Sequence, residues 1–181
     1  MMPDKLRILG IDPGTRYTGV AVIDRFGNQL KHVYSSTIVT VKEKNLEEKL
    51  FQIYSGLKAV IDEFKPDAAG IEKIFHSVNV HSSLILGHAR GVAMLAVRSH
   101  NTELREFAPT EVKSAVVGVG RAGQDQVAAM VRLLLNLDRK KKMREDEADA
   151  LAIAICFANT LNYQTFGKIK LSIDVDPLNL L

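Results

Sequence analysis

The stretch Ile8-Leu9-Gly10-Ile11-Asp12-Pro13-Gly14-Thr15 constrains this chain more than any other. An apolar run ends abruptly in an aspartate, and a Pro-Gly turn follows. Short apolar runs bounded by turn residues read as buried strands. Asp12 therefore stands at the carboxyl end of a strand, the edge where open α/β sheets collect their ligands. A bare carboxylate is costly to bury, so it should meet a metal ion, a cation or several hydrogen-bond donors. Taken alone, strand-Asp-Pro-Gly is also an ordinary way to begin a turn. Acids elsewhere in the chain decide between the two readings.

Tyr17 to Ile23 and Leu30 to Val41 read as the next two strands, the latter rich in Val, Ile, Thr and Ser. Arg25-Phe26-Gly27-Asn28 supplies the turn between them. Such short connections predict an antiparallel meander for the first three strands. Asn45 is placed to cap a helix. Leu46, Leu50, Ile53, Tyr54, Leu57, Val60, Ile61 and Phe64 recur at helical spacing, and Pro66 lies beyond the end. Ala68-Ala69-Gly70-Ile71 is a second short apolar run, and it too ends in a carboxylate, Glu72. Strand-helix-strand order implies a parallel pairing. If this strand lies beside the first, Asp12 and Glu72 emerge on one edge and repel unless a cation separates them.

Ile74 to Asn79 reads as a loop, and a helix is expected from about Ser82 to Ser99. Its Gly87, Ala89, Gly91, Ala93 and Ala96 suit close packing, against either its own sheet or a second subunit. Glu103 to Phe107 suits a short strand, and a brief helix begins at Pro109 with Thr110 as candidate cap. The glycine-rich stretch Gly118 to Gly123 precedes a helix with an apolar face of Val127, Met130, Val131, Leu134 and Leu135. The basic run Arg139-Lys140-Lys141-Lys142-Met143-Arg144 leads directly into Glu145-Asp146-Glu147-Ala148-Asp149. Asp146 and Asp149, three apart, share a helix face. Acids at a helix N-terminus need only the dipole to explain them. Asp149, however, runs straight into Ala150-Leu151-Ala152-Ile153, an apolar neighbourhood. A basic run alone is usually a solvated loop; beside an acid cluster it reads as a contact for phosphates.

The 181 residues suit one domain with a sizeable core, assigned to 1–162, and the pattern fades into a tail over 163–181. A net charge of +3 is too small to identify a polyanionic partner by itself. The single cysteine, Cys156, lies in an apolar helical run and reads as a buried, inert thiol. No signal peptide is apparent, and the apolar run Ala150 to Ala158 is too short to cross a bilayer. A cytoplasmic protein with no membrane partner is the expectation.

Four acids stand out: Asp12 and Glu72 at strand ends, Asp146 and Asp149 on the last helix. Carboxylates suit hard cations such as magnesium or manganese. His76, His81 and His88 lack a ligand spacing, and no Cys/His cluster supports zinc. A four-acid site fits two divalent ions about 4 Å apart, which stabilise attacking and leaving oxygens in phosphodiester hydrolysis.

Ordered motifs now add a resemblance. Gly10-Ile11-Asp12-Pro13-Gly14, Ala69-Gly70-Ile71-Glu72, Leu86-Gly87-His88-Ala89-Arg90-Gly91, Val112-Lys113-Ser114-Ala115-Val116-Val117-Gly118 and Glu147-Ala148-Asp149-Ala150-Leu151-Ala152 occur in that order. From Leu9 to about Ala158 the chain resembles the bacterial RuvC Holliday-junction resolvases, in the ribonuclease H-like superfamily. The resemblance implies an α/β fold, a five-stranded mixed sheet with helices on its flanks. It implies a homodimer that nicks two strands of a four-way DNA junction, with a branch-migration complex of the RuvAB type as partner. It carries catalytic and metal-binding roles onto Asp12, Glu72, Asp146 and Asp149. It also implies that Phe75 stacks on a base and that Lys113 meets DNA near the cleaved phosphate. Read without it, Phe75 is a core aromatic and Lys113 a solvent-facing lysine. Where such proteins often carry a second lysine, this chain has Gln124; Arg121 nearby is a candidate for the missing charge and hence a third DNA contact. Three other readings stay open. One is half of a sugar-kinase or actin-like ATPase, although no second phosphate turn is present. Another is a junction-binding protein whose acids only cap helices. The third is a related nuclease for other branched DNA or RNA.

Overall fold

The computed structural model describes residues 5–73, 80–138, 140 and 142–160. Phe75, His76 and the expected tail lie outside the described residues. The elements are β1 (Lys5–Asp12), β2 (Tyr17–Phe26), β3 (Gln29–Val39), α1 (Leu46–Phe64), β4 (Ala68–Glu72), α2 (Val80–Arg98), β5 (Glu103–Phe107), α3 (Pro109–Val117), α4 (Gln124–Leu134) and α5 (Glu145–Thr160). The sheet order is β3-β2-β1-β4-β5. β1, β2 and β3 pair antiparallel, and β4 and β5 add parallel to β1. This is the mixed sheet that short turns followed by helical crossovers predict.

Alternation along each central strand divides the core into two layers. Leu6 and Ile8 of β1 and Ala68 of β4 pack with α3, α4 and α5. Leu9 and Ile11 of β1, with Ala69 and Ile71 of β4, pack with α1 and α2. By the same two-residue period, Gly10 and Asp12, and Gly70 and Glu72, face α5. The strand parity alone thus sends both strand-end acids to one side of the sheet.

Several boundaries depart from the sequence reading: β2 runs on to Phe26 rather than Ile23, so Arg25 and Phe26 belong to the strand and not to the turn. β3 ends at Val39 rather than Val41, and α2 starts at Val80 rather than Ser82. The N-cap of α3 is Ala108, not Thr110. Proline is favoured at the first helical position because its missing N–H would be unsatisfied there anyway. The helix therefore starts at Pro109, and the Glu111 carboxylate accepts the Ala108 N–H at 2.6 Å. Asn45 does occupy the N-cap of α1, but its side chain makes no capping hydrogen bond.

At the opposite end of the sheet, the Arg7 guanidinium donates to both Asp24 oxygens, at 2.7 and 2.8 Å, and to the Phe64 carbonyl at 3.0 Å. This fork ties β1, β2 and the end of α1 together. Cys156 is buried in α5, as expected. Burial first, and Glu111 second, push its thiol up to about 12, so it is no nucleophile. Among the described residues, α2 is long and apolar enough to cross a membrane, with a mean hydropathy of 1.2. One of its faces nevertheless packs on the sheet through Ala89, Ala93, Ala96 and Val97.

Candidate active site

The register of the sheet places the first two acids. Ile11 pairs with Ile71 in the parallel β1–β4 ladder, so Asp12 and Glu72 are the next residues on adjacent strands. The turn after Asp12 is pinned from two sides. The Thr18 hydroxyl donates to the Gly14 carbonyl at 2.6 Å, and the Thr40 hydroxyl donates to the Thr15 carbonyl at 2.6 Å. Arg90, within the Leu86–Gly91 motif, donates to the Glu72 carbonyl at 3.3 Å and pairs with Glu106. It fixes the end of β4 from the α2 side.

Glycines bring the other two acids down onto this edge. A Cβ on Gly10 would lie 2.0 Å from the Ala150 carbonyl oxygen, and one on Gly19 would lie 1.8 Å from that of Asp146. Gly19 is the cross-strand partner of Asp12. The backbone of α5 therefore rests directly on β1 and β2, which only residues without a side chain allow. Asp146 is seated above the neighbour of Asp12, and Asp149 follows one turn along.

Mutual electrostatics ties the acids into one group. Burial pushes the Asp12 carboxyl well above the ordinary range, and the charges of Asp149, Glu72, Asp146 and Glu145 push it further. Glu72 is raised by burial and by Asp149, against the opposing pull of Lys113. Asp149 is raised by burial, while a hydrogen bond from Gln124 opposes the shift. Among the described residues, no three acidic, histidine or cysteine side chains are already drawn into a cage around a single point. An all-oxygen anionic pocket of this kind fits a hard divalent cation, whose attraction for each carboxylate would offset the repulsion among them.

Lys113 and Gln124 line a cavity of about 240 Å³ together with Glu72 and Asp149. Lys113 is thus beside the acids rather than simply in solvent. Arg121 is exposed in the loop before α4 and does not line this cavity. Gln124 does so in its stead, and its amide donates to Asp149 Oδ2 at 3.0 Å. Its role is hidden in the sequence because nothing in a helix-starting glutamine announces a partner 25 residues away. Glu145 is likewise a contributor that the sequence reading misses. Its signal is nonetheless present: it is one of three acids in the first turn of α5.

A sheet of this order, with carboxylates from its first strand, its fourth strand and its last helix, defines a ribonuclease H-like fold with an acid edge. The family described as crossover junction endodeoxyribonuclease RuvC matches residues 8–157, and the chain belongs to that family. This is a family of metal-dependent nucleases. The RuvC of Syntrophotalea carbinolica is 49% identical over 154 residues, covering 85% of this chain and 94% of that protein. The RuvC of Alkaliphilus oremlandii is 45% identical over 163 residues, covering 90% and 99%. Thermus thermophilus RuvC in complex with a Holliday junction substrate superposes with a TM-score of 0.79 at 28% identity, covering 90% of this chain and 96% of that one.

Proposed function

We propose that this protein is a metal-dependent endonuclease that resolves four-way DNA junctions during recombination and repair. The observation that carries this reading is the convergence of four acids from β1, β4 and α5 on one edge, within a RuvC-family chain. Asp12, Glu72, Asp146 and Asp149 would hold the metal, magnesium or manganese, as two ions per site. Bound ions supply an activated water and charge neutralisation at the leaving oxygen. The chain's own residues set up that chemistry. The strand-end acids are fixed by the pinned turn and by Arg90. Gln124 orients Asp149, and Lys113 offers a positive charge where a phosphate would approach. The nuclease domain spans 1–162, followed by a tail over 163–181. Phe75 as a base-stacking residue, Arg121 as an outer phosphate contact and a RuvAB-type partner rest on the family resemblance. A DNA-acting role of this kind suits a cytoplasmic protein.

The direct test is a synthetic four-way junction incubated with the protein in magnesium and in EDTA. Paired symmetric nicks only in magnesium are the expected result. Binding without nicking in both would leave a structural junction binder, and faster cutting of a flap or RNA–DNA hybrid would reassign the substrate.

The protein acts as a homodimer in this reading, and α2 supplies the supporting surface. Val80, Leu84 and Leu95 are 72%, 61% and 62% exposed. They are interleaved at helical spacing with Gly87 and Gly91, whose missing side chains would meet nothing within 4 Å. Exposed apolar side chains flanking small residues suit close approach of a second copy. Leu84→Glu with Leu95→Glu is expected to yield a monomer by sedimentation equilibrium and to uncouple the two nicks. An unchanged dimer would place the interface elsewhere.

A further inference from the structure

Arg144 precedes the first turn of α5, and its carbonyl accepts the Ala148 N–H at 3.1 Å. Its guanidinium lies over the Tyr17 ring, 4.2 Å from the centroid. Tyr17 is the first residue of β2 and is paired to Val39, so the ring belongs to the sheet and not to a loop. On the other side, Arg144 Nε stands 3.6 Å from Asp146 Oδ2. That separation is an ion pair but too long for a hydrogen bond. Among the described residues the guanidinium has no hydrogen-bond acceptor, and about half of the side chain, 51%, is exposed. A flexible cation beside Asp146 is thus held over an aromatic face, with about half of its side chain open to solvent.

The geometry points to Arg144, stacked on Tyr17, as the phosphate fork that seats the DNA strand at the mouth of the acid pocket. The inference deepens the proposed function and rests on it. Three features favour a phosphodiester over other ligands. An acid edge repels the DNA backbone, so the strand needs a nearby cation to approach. Guanidinium presents paired N–H donors that match two phosphate oxygens, as a lysine ammonium does not. Stacking on an aromatic face fixes that fork before the strand arrives. The ion pair with Asp146 is then a resting contact. A metal ion held by Asp146 would remove that competitor and leave the guanidinium to the phosphate. The sequence presents Arg139 to Arg144 as one basic segment; the structure gives its last member a platform.

The experiment measures binding of a fluorescent four-way junction across a potassium chloride series, with calcium replacing magnesium. Wild-type protein, Arg144→Gln, Arg144→Lys and Tyr17→Leu are compared. Each phosphate contact contributes roughly 0.9 to the slope of log affinity against log salt. Arg144→Gln is expected to lower the slope by about one per active site and to weaken binding about tenfold at moderate salt. Arg144→Lys keeps the slope but recovers only part of the affinity. Tyr17→Leu keeps the slope and weakens binding a few fold, because the charge remains but the fork is no longer held. An unchanged slope in Arg144→Gln overturns the inference while leaving the junction reading intact. The same holds if that variant binds the junction as tightly as wild type throughout the series, which would leave Arg144 a counter-ion for Asp146. Failure of the wild-type protein to bind the junction overturns both.

Discussion

Asp12→Asn is expected to make the metal-free protein more heat-stable while it abolishes junction cleavage. The two effects have one cause. Burial and four neighbouring acids raise the Asp12 carboxyl well above the range it has in an unfolded chain. A raised carboxyl is protonated in both states at low pH, so it costs nothing there. As pH climbs past the unfolded value, the unfolded chain releases its proton and the folded one resists. Stability is lost through that window and levels off only above the folded value. At neutral pH, asparagine removes the penalty. Each tenfold change in proton affinity corresponds to about 1.4 kcal/mol, and each kcal/mol to about 2–4 °C in a domain of this size. Melting curves in EDTA should therefore show the variant above wild type by several degrees at pH 7.5 and level with it near pH 4. Magnesium should narrow the gap by stabilising wild type alone. On the proposed reading cleavage should fall by about 10³-fold or more, because losing a metal ligand would remove several kcal/mol of charge stabilisation in the transition state. Equal melting temperatures in EDTA at pH 7.5 would mean that Asp12 is not electrostatically strained.

Among the described glycines, Gly19→Ala should be the most damaging substitution by alanine. The new Cβ would lie 1.8 Å from the Asp146 carbonyl oxygen and 2.5 Å from its carbon. Neither atom belongs to a flexible side chain. Relief requires α5 to rise from the sheet, yet Ala150 to Ala158 are buried along its length. Overpacking of this sort typically costs about 1–3 kcal/mol and sometimes more. Urea denaturation should place the loss at or above the top of that range. Activity should fall further than stability does, since the displaced turn carries Asp146 and Asp149 away from Asp12. Gly87→Ala is the comparison: with nothing within 4 Å of its Cβ, it should leave monomer stability equal or improved by up to about 1 kcal/mol. Similar urea midpoints for Gly19→Ala and wild type would show that α5 can shift without cost.

Much of this site can be read from residue order. Asp12 and Glu72 each close a short apolar run, and a single helix between β3 and the second run already implies a parallel strand. The i, i+3 spacing of Asp146 and Asp149 puts them on one helix face. What the sequence withholds is contact across distance. Periodicity describes which face of an element is apolar, not which element covers it. The seat of α5 on Gly10 and Gly19 is a fit between backbones and leaves no mark in hydropathy. The same is true of the Gln124 bond to Asp149 and the Arg144 platform on Tyr17. Polar side chains at a helix start have many local uses, so their long-range partners emerge only from coordinates. The cap of α3 differs for a simpler reason: the preference of proline for the first helical position outweighs that of threonine for the cap.

The burial of α5 has a consequence for how substrate is chosen. Its first two turns carry two of the acids, and the rest of it forms the middle of the larger hydrophobic layer. Such a helix cannot swing aside to admit a rod-like duplex. On the proposed reading the enzyme is an anvil, and the deformation falls on the nucleic acid. A continuous double helix resists that bending, whereas a branch point is already a joint. Discrimination between them then requires no movement of α5, only a cutting edge too stiff to meet straight DNA halfway.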